Sequence, residues 1–191
     1  HIRIERHRPN SGELVIYLDI KPVGGVGMGP ECIWDEIRHE LKTYRDLSSG
    51  SQDANDVVRI IEKWLTGDPS RRLLVMFDEA DNFLRAEHAG GYPNLLKIKG
   101  LMESTGMRFK AVFAGLHNVR RMAQAPNSPL PHLGEPICIG PMNQTRENRT
   151  ALRTLATKPM RSAGLEYADP ALASDMIARM NYYPSLVQVF C

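Results

Sequence analysis

The sequence predicts an α/β protein in which a partial parallel sheet carries helices on both faces and is followed by the start of an all-helical domain. Short apolar runs alternate with amphipathic helical patterns as far as Met142, and only helical patterns follow. The strongest run, residues 73–77, has five apolar residues in succession. Such a run is too short for a helix and is typical of a strand buried on both faces of a parallel sheet. We therefore expect an α/β domain over residues 1–142 and a helical domain that begins within residues 143–191.

The first part of the chain predicts one strand and two helices before this run. Residues 14–20 are rich in β-branched and aromatic residues, which favour a strand, and a glycine-rich loop follows them. Apolar residues at helical spacing then predict a helix over residues 33–44 and another over residues 57–65, with Asp53 or Asn55 as its cap.

The same patterns continue to the end of the chain. They predict, in order, a flexible connection over residues 85–93, a helix over 94–106, a strand over 109–115, a short basic helix or turn over 117–124, an irregular proline-rich segment over 126–136 and a fourth strand over 137–139. Three helices follow: one over residues 145–157, one that begins at Asp169 and Pro170, and one that begins at Pro184.

The composition is that of an ordinary globular protein. Of its 191 residues 42% are hydrophobic and 24% charged, and the net charge of +2 gives no reason to expect binding to nucleic acid or to a membrane surface. No segment approaches the roughly 20 consecutive apolar residues of a membrane helix. Cys32, Cys138 and Cys191 form no Cys-x-x-Cys pair, which indicates reduced cysteines in a cytoplasmic protein, with the first two packed in the core.

Two acids, Asp78 and Glu79, follow the strand at residues 73–77 directly. Ligands of open α/β sheets bind beyond the carboxyl ends of the strands, so carboxylates there are placed to hold a metal ion or a polar substrate. The alternative is a buried strand followed by a solvated acidic turn. The pair alone does not separate these two interpretations.

Four segments, taken in order, resemble the P-loop ATPases of the AAA+ and STAND superfamily. LLVMFDEADNFL is similar to a Walker B strand, FKAVFAGLHN to the sensor 1 strand, SPLPHLGEPICIGPM to the loop and strand that follow, and NYYPSLVQVFC to part of the helical lid. The resemblance implies a P-loop NTPase core of the ASCE type with ATP and Mg²⁺ as ligands. It further implies a regulatory switch in signal transduction that acts on other protein domains or subunits, with hydrolysis coupled to movement of the lid.

The resemblance assigns roles to the residues at the end of two strands. Asp78 corresponds to the aspartate that holds Mg²⁺, usually through water, and Glu79 to the glutamate that orients the attacking water. Asn118, or alternatively His117, corresponds to the polar sensor 1 residue that contacts the γ-phosphate. An ordinary turn role remains open for either of these last two residues.

The resemblance also assigns roles in the later segments. Arg121, or its neighbour Arg120, corresponds to an arginine that related ATPases present to the γ-phosphate of an adjoining subunit, although paired surface arginines are commonly just solvated. Pro184 matches the lid proline that lies against adenine, and Tyr183 precedes it. A proline at the first helical position is also a normal helix start, and both interpretations are compatible.

The phosphate-binding loop of the family has no counterpart in the sequence, since no G-x-x-x-x-G-K-[ST] occurs. The nearest string, GGVGMGPE at residues 24–31, has Pro30 and Glu31 where lysine and Ser/Thr are needed. Proline lacks a backbone donor and glutamate repels phosphate, so we interpret the string as the loop after the family's second strand. We then expect the chain to be a piece of a longer protein, with the P-loop upstream of His1.

This interpretation has consequences for the sheet and for activity. The resemblance places the P-loop strand between the Walker B side and the sensor side, so the sheet is expected to close a gap or to recruit a strand from a partner. The chain by itself is expected to show little or no ATPase activity.

Two other functions remain open at the level of the sequence. The first is a degenerate ATPase domain that serves as a protein-interaction scaffold, with GGVGMGPE as a decayed P-loop. The second is an initiator-like or transposition-type ATPase acting on DNA, which would require a basic groove or an added winged helix. The near-neutral charge gives this second alternative no support.

Overall fold

The computed structural model describes residues 12–44, 47, 53–116 and 118–190, without the side chains of Asn118 and Phe190. The chain divides into two compact units between Pro136 and Ile137, a few residues before the boundary predicted at Met142. Within the described ranges, no helix is both long and apolar enough to cross a membrane. The cytoplasmic location stays a prediction.

The elements follow one another as an α/β succession and then as helices alone. Their bounds are β1 (Glu13–Asp19), α1 (Ile33–Leu41), α2 (Ala54–Thr66), β2 (Arg72–Asp78), α3 (Asp81–Gly90), α4 (Pro93–Ser104), β3 (Phe109–Phe113), α5 (Asn118–Ala123), α6 (Arg146–Ser162), α7 (Pro170–Arg179) and α8 (Pro184–Phe190). The predicted α/β class is therefore correct.

The three strands form one parallel sheet in the order β1-β2-β3. The register runs from Glu13 opposite Arg72 to Asp19 opposite Asp78, and β2 pairs directly with β3 as far as Phe77 opposite Phe113. Two outcomes were expected for a sheet without the P-loop strand, closing the gap or recruiting a strand from a partner. The described strands agree with the first, because β2 and β3 hydrogen-bond to each other with no gap between them. All three strands end together, at what we call the carboxyl end of the sheet.

One face of the sheet carries the core of the first unit. Leu14, Ile16, Val75 and Phe77 are buried there, together with side chains from α1 to α4. On the opposite face the side chains are half-buried or exposed; these are Val15, Tyr17, Leu74, Met76 and Val112. Among the described residues, helices thus cover one face and not the two predicted. The run at residues 73–77 is apolar throughout, so it carries no alternation from which one covered face could have been read.

The amphipathic helices of the first unit form as their spacing predicts. In α1 the buried residues are Ile33, Trp34, Ile37 and Leu41. Asp53 caps α2 by accepting a hydrogen bond from the Asn55 backbone N–H at 2.8 Å. This satisfies one of the amide groups that a helix start leaves without a partner in the helix.

Residues 85–90 are the last six residues of α3 and not the flexible connection that was predicted. The helix buries Phe83, Leu84 and Glu87 on one face, and Gly91 ends it with φ +79°. The two glycines at residues 90 and 91 favour a loop by local propensity. The prediction is wrong because Phe83, Leu84 and Glu87 are buried on one face of the helix, and this packing outweighs that propensity.

A buried hydrogen-bond network joins α1, α3 and α4. The Glu87 carboxylate, whose residue is 0% exposed, accepts hydrogen bonds from the backbone N–H groups of Asn94 and Leu95 at 2.9 and 2.8 Å. It also accepts one from Asn94 Nδ2 at 2.7 Å, and Asn94 Oδ1 accepts one from Trp34 Nε1 at 2.8 Å. The carboxylate thus serves the start of α4, which has no side-chain cap of its own.

The fourth strand predicted at residues 137–139 does not form. Ile137 and Ile139 are 92% and 94% exposed, and no strand of the described sheet pairs with them. Pro136 and Pro141 flank the segment and limit its backbone donors. Cys138 between the isoleucines is exposed, so its predicted core role is wrong, whereas Cys32 is half-buried against the core of the first unit.

The second unit consists of α6, α7 and α8. Its described core is small and comprises Leu152, Ala156, Ile177 and Val187. Asp169 caps α7, as predicted, by accepting from the Ala171 N–H at 2.8 Å. The helix α6 runs past its predicted end at residue 157 and includes Pro159.

Candidate functional site

Asp78 and Glu79 lie at the carboxyl end of the sheet, as the sequence predicts. Asp78 is the last residue of β2 and stands opposite Asp19 in the register. One of its carboxylate oxygens, Oδ1, accepts a hydrogen bond from the Glu79 backbone N–H at 2.9 Å. This local bond fixes the direction in which the carboxylate leaves the strand.

Glu79 occupies the turn between β2 and α3 with φ +55°, in the left-handed region. A residue with a Cβ atom pays about 1 kcal/mol or more for that conformation. The side chain is exposed, and no hydrogen bond to it occurs within the described ranges. The turn therefore directs Glu79 away from the line of β2, so the two adjacent acids point differently.

Tyr17 is a third member of the site that sequence reasoning did not single out. Its hydroxyl donates a hydrogen bond to Asp78 Oδ2 from the neighbouring strand β1. This bond, followed by partial burial and the negative charges of Asp78, Asp19 and Glu79, raises the pKa of the Tyr17 hydroxyl. The alternation of side chains along a strand could have indicated Tyr17 as a site residue, since Tyr17 and Asp19 fall on the same face of β1.

Hydrogen bonds hold the loop after β3 next to Asp78 and Glu79. Ala80 donates its backbone N–H to the Ala114 carbonyl at 2.9 Å, and Leu116 donates its N–H to Asp81 Oδ2 at 2.8 Å. A Cβ atom at Gly115 would lie 2.8 Å from that same carboxylate oxygen, so a side chain there would push the Asp81 carboxylate aside. The segment that leads to the predicted sensor residues is thereby held at the carboxyl end of the sheet.

The predicted sensor and arginine residues follow this loop. His117 lies outside the described residues. Asn118 begins α5, and its side chain is likewise not described. Arg120 and Arg121 are exposed on the same short helix. Their backbone position is compatible with the predicted roles, which stay predictions.

The glycine-rich loop packs as a structural turn. Gly25 and Met28 form an isolated antiparallel bridge, and a Cβ atom at Gly24 would lie 2.7 Å from the Asn82 carbonyl oxygen. Asn82 Nδ2 also donates to the Lys21 carbonyl at 2.8 Å. The Glu31 carboxylate lies over Gly29, which puts negative charge against the loop. This arrangement does not present a cradle for phosphate.

Pro184 and Tyr183 lie in the second unit. Pro184 is the first residue of α8, and Tyr183, 38% exposed, precedes it. The same unit contains a cavity of about 340 Å³ lined by residues of α6 and of the connection to α7, among them Arg153, Thr157 and Tyr167. None of the predicted site residues lines that cavity.

The carboxylate oxygens at the carboxyl end of the sheet suit Mg²⁺ as one part of its ligand set. Asp78, Asp19 and Glu79 supply hard carboxylate oxygens, and Mg²⁺ in nucleotide sites takes one or two carboxylates and fills its remaining positions with water and phosphate oxygens. Within the described ranges, no three His, Cys, Asp or Glu side chains are grouped as an ion-binding cage. These residues therefore suit a hydrated metal ion that takes one or two carboxylates and fills its other positions with water or phosphate oxygens.

Comparison with known proteins identifies no family for the chain. No family model, curated protein or solved structure matches it. Any function is accordingly argued from the site itself.

Proposed function

We propose that the chain is part of an ATP-binding and ATP-hydrolysing regulatory ATPase of the AAA+/STAND type. The observation that carries the proposal is the meeting of Asp78, Glu79 and the loop after β3 at the carboxyl end of one parallel sheet. Polar side chains gathered there, outside the ends of adjacent parallel strands, are typical of ligand sites in open α/β sheets.

In this proposal the two acids have separate tasks. Mg²⁺ held at this end of the sheet would supply positive charge that offsets the negative charge of the ATP phosphates. Asp78, fixed by the Glu79 N–H, would hold the hydrated ion. Glu79, exposed and turned out of the strand, would accept a hydrogen bond from the attacking water and orient it. Asn118 or His117 would contact the γ-phosphate, Arg121 would face an adjoining subunit, and Pro184 with Tyr183 would lie against adenine.

Glu79→Gln tests the proposal in the full-length protein. We expect ATP binding by calorimetry to be retained, because the amide keeps the shape of the side chain, and turnover to fall by 10²-fold or more, because general-base catalysis typically contributes about 10²–10⁴-fold. Glu13→Gln, at the opposite end of β1, is the matched control and should leave both quantities unchanged. Unchanged turnover in Glu79→Gln would contradict the role given to Glu79, and absence of ATP binding in the wild type would contradict the proposal as a whole.

A second candidate, a degenerate ATPase domain that binds other proteins, is favoured by one observation. The glycine-rich loop is closed by its own bridge and carries Glu31 against Gly29, so the described residues offer no phosphate cradle. In that case the full-length protein would bind no ATP, and a P-loop motif would be lacking upstream of residue 1. The same calorimetric titration therefore separates the two candidates.

A further inference from the structure

We propose that Tyr17 is a positioning residue for Asp78, which holds the Asp78 carboxylate ready to receive a divalent cation. The inference rests on the metal-binding part of the proposed function and adds to it a residue on a neighbouring strand. Its physical basis is the hydrogen bond that the Tyr17 hydroxyl donates to Asp78 Oδ2.

The register explains why a tyrosine makes this contact. Tyr17 stands opposite Met76, and Asp78 lies two residues further along β2 on the same face. Parallel strands lie about 4.8 Å apart and rise about 3.3 Å per residue, so Tyr17 and Asp78 are diagonal neighbours about 8 Å apart, a span that an aromatic side chain covers and a short polar one does not. A tyrosine at this position therefore places its hydroxyl beside the last carboxylate of β2.

The carboxylate is held at both oxygens and still has capacity for a ligand. Oδ2 accepts from Tyr17 and Oδ1 from the Glu79 N–H at 2.9 Å. An ionised carboxylate offers about four lone-pair sites, so about two remain for a metal ion or its water. Two donors from different elements fix the rotamer before any ligand binds, which is how outer partners tune metal ligands.

Stability gives little reason for this bond. Tyr17 is 40% exposed on the half-covered face of the sheet, so water could satisfy its hydroxyl equally well. Its ring stands beside Met76 in the strand register whether or not the hydroxyl is present. The hydroxyl is thus the part of Tyr17 that acts on Asp78, and Tyr17→Phe removes that part alone.

The test uses Mn²⁺ alone as the probe, followed by NMR of the 191-residue chain. Mn²⁺ bound at Asp78 broadens amide signals at the carboxyl end of the sheet, including those of Asp78, Glu79 and Ala80, at concentrations that leave signals at the opposite end of the strands sharp. In Tyr17→Phe we expect the Mn²⁺ concentration for half-maximal broadening to rise about 10- to 100-fold, the usual effect of removing an outer partner of a metal ligand. Tyr167→Phe, which removes a hydroxyl in the second unit, should titrate as the wild type does, and Asp78→Asn should lose the selective broadening.

A metal-free measurement accompanies the titration. Without Tyr17 the carboxylate turns more freely, so hydrogen exchange of the Glu79 amide should become about fivefold faster, a ratio in the range expected for one hydrogen bond. Unchanged amide shifts elsewhere in β1 and β2 would show that the fold is intact. Two results would overturn the proposal. In the first, the Tyr17→Phe signals broaden at the wild-type Mn²⁺ concentration and the Glu79 amide exchanges at the wild-type rate. In the second, the wild-type signals of residues 78–80 do not broaden selectively.

Failure of this inference and failure of the proposed function are distinguishable. Selective broadening that depends on Tyr17, in a full-length protein that binds no ATP, would support the positioning role and contradict the ATPase. Normal ATP binding and turnover in a Tyr17→Phe protein with unchanged Mn²⁺ titration would support the ATPase and contradict the positioning role.

Discussion

At the scale of single residues, Glu79 combines a functional position with a strained backbone. Its φ of +55° lies in a region that glycine adopts freely and other residues adopt at a cost. Residues in such conformations cluster at functional sites, where the surrounding structure holds them. The conformation is therefore consistent with the catalytic role proposed for Glu79. It also leads us to expect an effect on stability that does not depend on ATP.

Glu79→Gly should increase the free energy of unfolding by about 0.5–1 kcal/mol, measured by urea denaturation. Relief of the left-handed strain favours the variant, and the greater freedom of glycine in the unfolded chain offsets part of that gain. Met107→Gly is a matched control, because Met107 has φ +61° and is 48% exposed in the turn before β3. A gain at Met107 with a loss at Glu79 would mean that the Glu79 side chain stabilises the fold.

At the scale of elements, Glu87 ties the start of α4 to α3. Burial raises the pKa of the Glu87 carboxyl above its ordinary 4.5, although its hydrogen bonds with Leu95 and Asn94 act in the opposite direction. The folded state thus holds this proton more tightly than the unfolded chain does. The stability that follows is fully present below pH 4.5 and is lost as the pH rises through the pKa of the folded state.

Glu87→Gln tests this linkage. The variant does not titrate at this position, so the free energy of unfolding of the wild type minus that of the variant should decrease as the pH rises from about 4 to 7. At neutral pH the variant should still be less stable by about 1–3 kcal/mol, because its amide NH₂ faces a hydrogen-bond donor. Glu103→Gln in α4 is the control, since the pair of Glu103 with Lys99 at 3.6 Å lies at the surface and contributes little. If the stability difference between wild type and variant instead grew with pH, the hydrogen bonds to Glu87 would outweigh burial in setting its pKa.

Much of the element pattern could be predicted from the sequence, for reasons that differ between elements. The helices α1, α2 and α4 carry apolar residues at helical spacing, and β1 to β3 are short apolar runs. Each pattern therefore indicates a single type of secondary structure. The segment at residues 137–139 has the composition of a strand, yet a strand needs a partner, which a local pattern does not reveal. The Asp78 and Glu79 positions followed from the end of β2, whereas the contact with Tyr17 depends on the register between strands 61 residues apart.

At the scale of the whole molecule, the two units differ in the size of their cores. Among the described residues, the unit of α6 to α8 buries five residues, Leu152, Ala156, Ala173, Ile177 and Val187. The first unit buries one face of a sheet together with the helices on it. Stability follows buried apolar area, so the second unit should open at a lower free energy than the first.

Leu152→Ala should expose this difference in hydrogen exchange. The substitution removes a side chain that is 1% exposed and costs about 2–5 kcal/mol, a large share of what so small a core supplies. Protection of amides in α6 to α8 should fall, with little change in β1 to β3. The matched variant Leu65→Ala, at a residue 0% exposed in the first unit, should reduce protection of the strands instead. Equal loss of protection in both units for either variant would mean that the chain unfolds as one cooperative body.

The buried network of Glu87, Asn94 and Trp34 also provides the chain with an optical signal. The sequence has two tryptophans, and Trp34 is 2% exposed, with its indole N–H bound to Asn94. Trp64 lies instead under the Arg71 guanidinium, 5.1 Å from the ring centroid. A shielded indole with a fixed partner emits at shorter wavelength than a solvated one, so opening of the junction between α3 and α4 would appear as a red shift in fluorescence without any attached dye.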